Sequence, residues 1–418
     1  MNAISRSRRY WPPYTPLNAE DCRPRIVRGE GVHLYDDTGR RYLDGISGSY
    51  NHCLGHSHPA LVETVKRQMD TLVHACNIGL STVLPEALAE RLGDELAPAG
   101  LAHTFLVGSG SEGVEAALKM AWQYQIGRNH PQRTRVVAID GAYHGCTLGA
   151  MLATRRSFIN EGALPFVATC SMTMPPPRSL DDLRTWEALL AEHGSTVAAL
   201  IIEPVMAMAG TRQFPDGFLQ ALSSLARTYD IPLICDEVYC GIGRTGTVCE
   251  SVSQGANPDI VIFSKSLGGG FPITAVMATA KIADSFAAHP IPLFRHGHTQ
   301  SGNLLGCRAA LFVLDHLHAQ RCYESVRTKG ARLLQAIREK LPAMGNVVSA
   351  QGKGLMLSIT FDSSEACSRV QLDARRHGLI IGAADRHLKL APPFTIDDDA
   401  IDELTQRLIH AIGSASHH

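Results

Sequence analysis

The stretch Asp259-Ile-Val-Ile-Phe-Ser-Lys265-Ser-Leu-Gly-Gly-Gly-Phe-Pro272 places one lysine directly after a short apolar run and before three glycines. Apolar residues in such a run, mostly β-branched or aromatic, predict a strand that is buried on both faces. Lys265 then lies at the carboxyl end of that strand, where open α/β sheets bind their ligands. Burial there favours the neutral amine that a Schiff-base lysine requires. A lysine that simply points to water is the alternative.

The bulk composition sets limits on partners and location. The chain has 418 residues with 39 basic and 40 acidic side chains, so its formal net charge of −1 indicates neither nucleic acid nor a membrane as a partner. Its length predicts two domains in one compact unit. Eleven scattered cysteines are typical of free thiols in a reducing cytoplasm. We find no pattern of a signal peptide or a spanning helix, and we expect a cytoplasmic protein.

From about residue 103 onward, strand-like and helix-like segments alternate. The predicted strands are 103–107, 135–139, 197–202, 232–235 and 260–263, and the predicted helices among them are 114–125 and 218–229. This alternation predicts an α/β fold with a mostly parallel central sheet wrapped by helices. A hairpin over 31–35 and 41–44 precedes it, and a second unit is predicted to begin after a boundary near 300–320.

A cluster of His52, Cys53, His56 and His58 has the spacing of metal ligands. No second clustered pair of ligands follows it, and glycine interrupts the segment. We therefore favour a loop over a zinc site, and we predict no metal.

A glycine- and serine-rich turn, Gly108-Ser-Gly-Ser-Glu112, lies between a predicted strand and a predicted helix. Its exposed amides and the dipole of the following helix favour a phosphate group. The spacing fits neither the P-loop nor the dinucleotide fingerprint, and helix capping alone would explain the serines and glycines.

Further polar groups follow strand ends at the same edge of the predicted sheet. Pro232-Leu-Ile-Cys-Asp236-Glu-Val238 ends in two carboxylates, and Asp236 either holds a protonated ring nitrogen or caps the next turn. Tyr143-His-Gly145 offers an aromatic plane for stacking on a ring, although a core tyrosine gives the same pattern. Glu203 also follows a strand there. Together with Lys265 and the phosphate turn, these groups predict pyridoxal phosphate as the cofactor.

The same motifs resemble the class III (omega-amino-acid type) aminotransferases of fold type I over nearly the whole chain. The segments that carry the resemblance are 108–117, 143–145, 201–205, 235–246, 263–272 and 297–303. The resemblance implies a large PLP-binding α/β domain over 61–305 and a smaller α+β domain from both termini, 1–60 and 306–418. It also implies ping-pong transfer of an amino group from an amine or omega-amino compound to a keto acid or aldehyde.

The resemblance further implies roles for individual residues. Lys265 would form the Schiff base and move the proton, Asp236 would pair with the pyridine nitrogen, and Tyr143 would stack on the ring. The implied cofactor-binding residues are Gly110, Ser111, Tyr143, His144, Glu203, Asp236, Val238, Lys265 and Thr299. In this set, Gly110 and Ser111 hold the phosphate and Val238 packs on the ring face opposite Tyr143. Thr299 would bind the phosphate of the neighbouring subunit's cofactor, which implies a homodimer.

The chain departs from the family where substrate is bound. Met206 and Met208 replace a glutamine and a glutamate that some members have, and the two usual positions of the carboxylate-binding arginine correspond to Gly382 and Lys389. Lys389 either binds a carboxylate as a point charge or faces solvent, and Arg386 is a third candidate. The methionines and Gly382 favour an amine or a long, largely apolar amino compound.

The sequence also leaves open which subgroup of the family the chain resembles most. Residues 10–15 and 119–124 are similar to the diaminopelargonate aminotransferases, whereas Ser49-Tyr50 and Cys146 depart from them. We therefore favour the amine:pyruvate-like side, with Tyr14 and Tyr50 lining the substrate entrance. A diaminopelargonate-type enzyme, a PLP-dependent aminomutase or racemase, and a non-catalytic binding protein of the same fold are the alternatives.

Overall fold

The computed structural model describes residues 10–15, 23–161, 170–287, 292–340 and 346–415. The strands in chain order are β1 Ile26–Glu30, β2 His33–Asp36, β3 Arg41–Asp44, β4 Leu101–Val107, β5 Arg135–Ile139, β6 Ser171–Met174, β7 Val197–Ile202, β8 Val205–Met206, β9 Arg212–Gln213, β10 Leu233–Asp236, β11 Ile260–Phe263, β12 Thr274–Thr279, β13 Val347–Lys353, β14 Met356–Phe361, β15 Leu379–Ile380, β16 Gly382–Ala384 and β17 His387–Leu390.

The longer helices alternate with these strands. They are α1 Pro59–Thr71, α2 Val83–Leu96, α3 Gly110–Gly127, α4 Leu183–His193, α5 Phe218–Thr228, α6 Ala280–Ala287, α7 Leu304–Ala319, α8 Cys322–Lys340, α9 Ser364–Arg376 and α10 Asp398–Ala415. Shorter helical turns lie at Ser47–Tyr50, Ala97–Ala99, Ala150–Leu152, Ser157–Asn160, Leu180–Asp182, Gly194–Thr196, Glu250–Ser253 and Lys265–Gly268.

The central sheet has seven strands in the order β4-β12-β11-β10-β7-β5-β6. β7, β10 and β11 are buried along their whole length, and β5, β6, β7, β10 and β11 pair in parallel. This confirms the predicted α/β fold and the mostly parallel sheet. Only β12 runs antiparallel to its two neighbours, β11 and β4. The five predicted strands of the sheet are all present.

Helix α3 packs closely on this sheet. A Cβ atom on Gly113 would lie 2.6 Å from Thr274 Cγ2 and 2.8 Å from Ile262 Cγ2, so the absence of a side chain lets the helix approach β11 and β12. Ser109 caps the helix, because its hydroxyl accepts a hydrogen bond from the Glu112 amide at 3.3 Å. The amino end of α3 is therefore fixed beside the carboxyl edge of the sheet.

Two smaller sheets combine distant parts of the chain. β2 and β3 form the predicted antiparallel hairpin, and β15 near the carboxyl end pairs in parallel with β3. A second sheet has the order β13-β14-β17-β16. The domain boundaries at residues 60 and 305 stay a prediction.

A buried arginine connects these parts. Arg244 is fully buried, and its Nη1 donates to the carbonyls of Leu355 at 3.0 Å and Pro392 at 2.6 Å. Its Nη2 donates to Ser47 Oγ at 3.0 Å, and Ser47 in turn donates to the carbonyl of Ala391. One side chain thus ties the loop after β10 to the turn at Ser47–Tyr50 and to the segment after β17.

Nine cysteines of the described ranges are free thiols, namely Cys53, Cys76, Cys146, Cys235, Cys240, Cys249, Cys307, Cys322 and Cys367. Within the described ranges, no group of three or more His, Cys, Asp or Glu side chains is arranged to hold a metal ion. His56 Nε2 lies 2.7 Å from Asp44 Oδ2, so this histidine of the early cluster binds a carboxylate of β3. Among all residues that the structure describes, each helix is too short or too polar to cross a membrane.

Candidate active site

Lys265 follows β11 at the carboxyl edge of the central sheet. Its φ angle is 44°, in the left-handed region that residues other than glycine seldom occupy. Backbone strain of this kind is concentrated at functional sites. The side chain is half-buried in a cleft, where Nζ lies 4.1 Å from the centroid of the Tyr239 ring. Lys265 is therefore held inside the molecule and does not extend into open solvent.

The surroundings of Lys265 favour its neutral amine. Burial lowers the pKa of Lys265 to about 8, and the negative charges of Asp236 and Glu203 only partly oppose this effect. A substantial fraction of the side chain is therefore unprotonated at mildly alkaline pH. This is the form that can act as a nucleophile or accept a proton.

Asp236 ends β10 and is also buried. Its Oδ2 lies 2.8 Å from His144 Nδ1, and its Oδ1 accepts a hydrogen bond from the Val238 amide at 3.1 Å. His144 is held in turn by its own amide, which donates to Thr154 Oγ1 at 2.9 Å. Asp236 thus both caps the turn that follows β10 and faces the cleft. Capping the turn and facing a ring nitrogen are therefore compatible roles for Asp236.

Glu203 lies behind the cleft. Its Oε2 accepts from the Tyr143 amide at 3.0 Å and its Oε1 accepts from the Ala207 amide at 3.1 Å. Burial raises the pKa of Glu203 to about 7. Glu203 is not among the residues that line the cleft, so the structure gives it the position of a support for Tyr143.

The amino end of α3 forms another wall. Ser111 Oγ accepts a hydrogen bond from the Cys146 amide at 3.2 Å, which joins the turn before α3 to the Tyr143-His-Gly segment. A Cβ atom on Gly110 would lie 3.0 Å from Val238 Cγ1, so Gly110 leaves just enough room for that valine. The first amides of the helix are thus placed beside Val238.

These groups surround one inner cavity. Its walls are formed by Ser109, Gly110, Ser111, Tyr143, His144, Gly145, Asp236, Val238, Tyr239, Ser264 and Lys265. A helix amino end suits a phosphate, a buried carboxylate suits a protonated pyridine nitrogen, and an amine of lowered pKa suits an aldehyde carbon. The residues present therefore fit pyridoxal phosphate. Seven of the nine predicted cofactor residues line this cavity, the exceptions being Glu203 and Thr299.

An outer cavity of about 560 Å³ adjoins the inner one, and Lys265 and the tyrosines Tyr143 and Tyr239 line both. Its other walls are formed by Tyr14, Ser49, Arg156, Phe158, Ile159, Met208, Ala383, Ala384, Asp385 and Lys389. Tyr14 and Lys389, two of the three predicted substrate residues, are thus placed at this cavity. Gly382 lies directly opposite Lys389 in the pairing of β16 with β17.

The structure contradicts the placement of Tyr50 at the substrate entrance. Tyr50 is 1% exposed, and its ring packs edge-on against Tyr239 with 4.9 Å between the centroids. Its backbone is left-handed, with φ of 70°, and its side chain belongs to a buried cluster with Val205 and Ala207. Ser49 and Tyr239 line the cavity in its place. Arg386 is exposed on the turn between β16 and β17 and is not part of the cavity wall.

Thr299 lies outside both cavities and is exposed. Its neighbours His298, Gln300 and Asn303 line an adjacent depression together with Ser109 and other residues of the α3 turn. The role of Thr299 toward a neighbouring subunit stays a prediction.

The three glycines after Lys265 serve packing more than access to the cofactor. Gly269 and Gly270 have φ angles of 55° and 113°. A Cβ atom on Gly269 would lie 2.7 Å from Val313 Cγ2 of α7, and one on Gly270 would lie 2.7 Å from His52. The turn is therefore pressed against α7 and the loop of the histidine cluster.

Sequence reasoning missed two residues of the site. Tyr239 was within a quoted motif, three residues after Asp236, but its contact with Lys265 depends on the turn geometry. Arg156 follows a helical turn in a segment that carried no motif, and it reaches the outer cavity from there. The sequence signal that could have pointed to Arg156 was a pair of arginines, Arg155 and Arg156, directly after an apolar segment.

Comparisons with known proteins match most of the length of this chain. A family model described as Aminotransferase class-III matches residues 16–412. The adenosylmethionine-8-amino-7-oxononanoate aminotransferase of Geobacter sulfurreducens is 32% identical over 435 residues, covering 97% of this chain and 96% of that protein. The acetylornithine aminotransferase of Aquifex aeolicus is 34% identical over 381 residues, covering 90% of this chain and 94% of that protein.

Solved structures give the same result for the fold. An amine transaminase from an uncultivated Pseudomonas species, solved with bound PLP, has a TM-score of 0.92 and 28% identity, and the match covers 98% of each chain.

The two sequence relatives differ in their named substrates although their identities, 32% and 34%, are similar. The comparisons therefore leave the choice of substrate to the residues of the outer cavity.

Proposed function

The chain belongs to the class III aminotransferases, and we propose that it moves an amino group from an amine or omega-amino compound to a keto acid or aldehyde by a ping-pong mechanism through Lys265. The observation that carries the proposal is the inner cavity, where Lys265, Asp236 and the amino end of α3 meet. Pyridoxal phosphate, when bound, supplies the carbonyl carbon that takes the amino group and a ring that withdraws electrons from the adjacent carbon.

Lys265 has two tasks in this proposal. It would attach the cofactor covalently through Nζ, and after an incoming amine has displaced it, the free Nζ would move a proton between two carbon atoms that one nitrogen separates. Both tasks need the unprotonated amine, which is consistent with the lowering of the Lys265 pKa to about 8 by burial. Tyr239 lies under Nζ and limits the directions in which the amine can point.

The remaining residues of the inner cavity bind and orient. Asp236 keeps a positive charge on the ring nitrogen, and His144 fixes the direction of that carboxylate at 2.8 Å. Tyr143 and Val238 limit the space for the ring, while the amides of Gly110 and Ser111 and the Ser111 hydroxyl bind the phosphate. Glu203 acts indirectly, by holding the Tyr143 amide at 3.0 Å.

A second copy of the chain is part of the proposal. Large apolar side chains are exposed on the single chain, among them Ile78, Leu80, Val83 and Leu148. Exposed apolar surface of this kind marks an interaction surface. A homodimer in which Thr299 contributes to the neighbouring active site would cover such surface. The free thiols among the described cysteines, such as Cys53, Cys235 and Cys307, support a cytoplasmic location.

A half-reaction screen tests the function. The purified, PLP-loaded protein is mixed with a panel of amines and amino acids, and the visible absorbance of the bound cofactor is followed. We expect at least one amine to bleach this absorbance and a keto acid or aldehyde to restore it. Lys265→Ala should abolish turnover, whereas Lys66→Ala, on the exposed face of α1, should not.

Three outcomes would contradict the proposal. Turnover of an amino acid without a second, carbonyl substrate would indicate an aminomutase or racemase. Failure to bind pyridoxal phosphate would indicate a binding protein. Full turnover by Lys265→Ala would remove the lysine from the mechanism. A strong preference for the substrates of diaminopelargonate-type enzymes would keep the function but move the chain to that subgroup.

A further inference from the structure

Two cations besides Lys265 line the outer cavity. Lys389 of β17 is 9% exposed, and the side chain of Arg156 is also 9% exposed. Both side chains line the cavity together with Lys265. The cavity wall therefore holds three basic groups and one carboxylate, that of Asp385.

Lys389 has few partners for its charge. Its Nζ donates to Met208 Sδ at 3.0 Å, and in the described part of the chain it forms no ion pair with a carboxylate. An ammonium group has three donors, and a thioether is a weak acceptor. Burying such a charge without an anion is costly. Two of its donors are thus available to a ligand in the cavity.

Arg156 is fixed next to Lys389 by the same methionine. Its Nη1 donates to the carbonyl of Met208 at 3.0 Å and to that of Gly141 at 3.5 Å. Its Nη2 pairs with Asp385, whose side chain is 64% exposed. A guanidinium has five N–H donors, so Nε and the second Nη2 hydrogen have no acceptor among the described residues. Met208 holds both cations, one through its carbonyl and one through its sulfur.

The backbone around Lys389 makes room for this arrangement. A Cβ atom on Gly382 would lie 3.1 Å from Lys389 Cε, so a larger residue there would press on the lysine stem. The two departures from the family pattern, at 382 and 389, are therefore one feature: the glycine accommodates the lysine that lies opposite it.

We propose that Arg156 and Lys389 form an anion subsite that binds the carboxylate of a keto-acid amino acceptor. The inference rests on the proposed aminotransferase function and names the acceptor class. Keto acids are preferred to aldehydes, because an aldehyde leaves Lys389 without an anion and offers no carboxylate to the N–H groups of Arg156 that Asp385 does not bind. The inference concerns the amino acceptor, whereas the expectation drawn from the methionines and Gly382, an amine or a long, largely apolar amino compound, concerns the donor.

The subsite is tested by acceptor selectivity. The ratio of kcat/KM for pyruvate to kcat/KM for propanal is measured with one amine donor, for the wild type, Arg156→Gln and Lys389→Met. A hydrogen bond to a charged group contributes about 1.5–3 kcal/mol, so each substitution should lower the ratio by roughly ten- to a hundredfold. Arg155→Gln is the matched control, because Arg155 bonds to Thr173 Oγ1 at 2.7 Å outside the cavity and should leave the ratio unchanged.

A binding measurement gives an independent readout. Calorimetric titration of the PLP-loaded protein with butyrate and with butyramide should show tighter binding of the acid, and Arg156→Gln should remove that difference.

Asp385→Asn removes the protein's own carboxylate from Arg156 and should lower the KM for pyruvate several-fold. An unchanged selectivity ratio in both cavity variants, or a raised KM for pyruvate in Asp385→Asn, would overturn the subsite. Absence of turnover with either acceptor in the wild type would instead contradict the proposed function.

Discussion

Replacing Lys389 by methionine should stabilise the protein while it weakens keto-acid recognition. Burial, together with the positive charges of Arg156 and Lys265, lowers the pKa of Lys389 to about 8. Lysine in an unfolded chain has a pKa of about 10.4, and each pKa unit corresponds to about 1.4 kcal/mol. The charged form of Lys389 therefore costs the folded apo protein roughly 3 kcal/mol at neutral pH. Methionine replaces most of the apolar stem of the lysine, is one atom shorter, and removes this cost.

The sign of the pH dependence follows from proton binding. Between pH 8 and about 10.4 the unfolded chain binds more protons at Lys389 than the folded protein, so wild-type stability rises with pH in this window. Below pH 8 both states carry the charge and the full cost is present. The advantage of Lys389→Met should thus be up to about 3 kcal/mol at pH 7 and should shrink by about 2 kcal/mol by pH 9.5.

Urea unfolding of the apo protein, followed by tryptophan fluorescence at pH 7 and pH 9.5, measures this difference. Lys66→Met is the control, because Lys66 is exposed on α1 and a surface substitution should change stability by less than about 0.5 kcal/mol at both pH values. The reasoning would be refuted by a Lys389→Met variant that is less stable than the wild type at pH 7. An advantage that is equal at both pH values would also refute it, because the gain would then come from packing alone.

Three further predictions concern the inner cavity. His144→Leu removes the 2.8 Å hydrogen bond to Asp236, so PLP should bind roughly ten- to a hundredfold more weakly, as measured by fluorescence titration of the apo protein. The rate of PLP capture by the apo protein should rise with pH and level off above about 8, because only neutral Lys265 reacts; stopped-flow absorbance that is flat between pH 6 and 8 would contradict this. Gly110→Ala would place a Cβ atom 3.0 Å from Val238 Cγ1 and should weaken PLP binding, and Val238→Ala should restore part of the loss.

The fold could be predicted from the sequence because the apolar runs that favour strands locally are also the strands of the parallel sheet. Buried runs such as 197–202 and 260–263 predict strands that the structure has at the same residues. β12 was missed because its centre, Ala275 to Ala278, is rich in alanine and methionine, which favour helices when taken alone. Its strand conformation is imposed by pairing with β11 and β4.

The candidate site was predictable where residues follow strand ends and not where they come from turns. Lys265 and Asp236 end neighbouring parallel strands, so their proximity follows from the sheet. Tyr50 was placed wrongly because its side chain packs in a buried cluster with Val205 and Ala207, a tertiary contact that the local sequence does not show. Arg156 reaches Lys389 across more than 200 residues of chain, and only the tertiary contacts with Met208 bring the two together.

The buried guanidinium of Arg244 limits how the enzyme can adapt to new substrates. It joins the loop after β10, the turn that contains Ser47 and the segment after β17, and its hydrogen bonds to these parts are shielded from water. Hydrogen bonds to a charged group are worth about 1.5–3 kcal/mol each, so a hinge opening of the outer cavity would have to break several of them at once. We therefore expect the outer cavity to keep nearly the same shape when different substrates bind. Changes in substrate range should therefore come through exchange of individual wall residues such as Arg156, Met208 and Lys389.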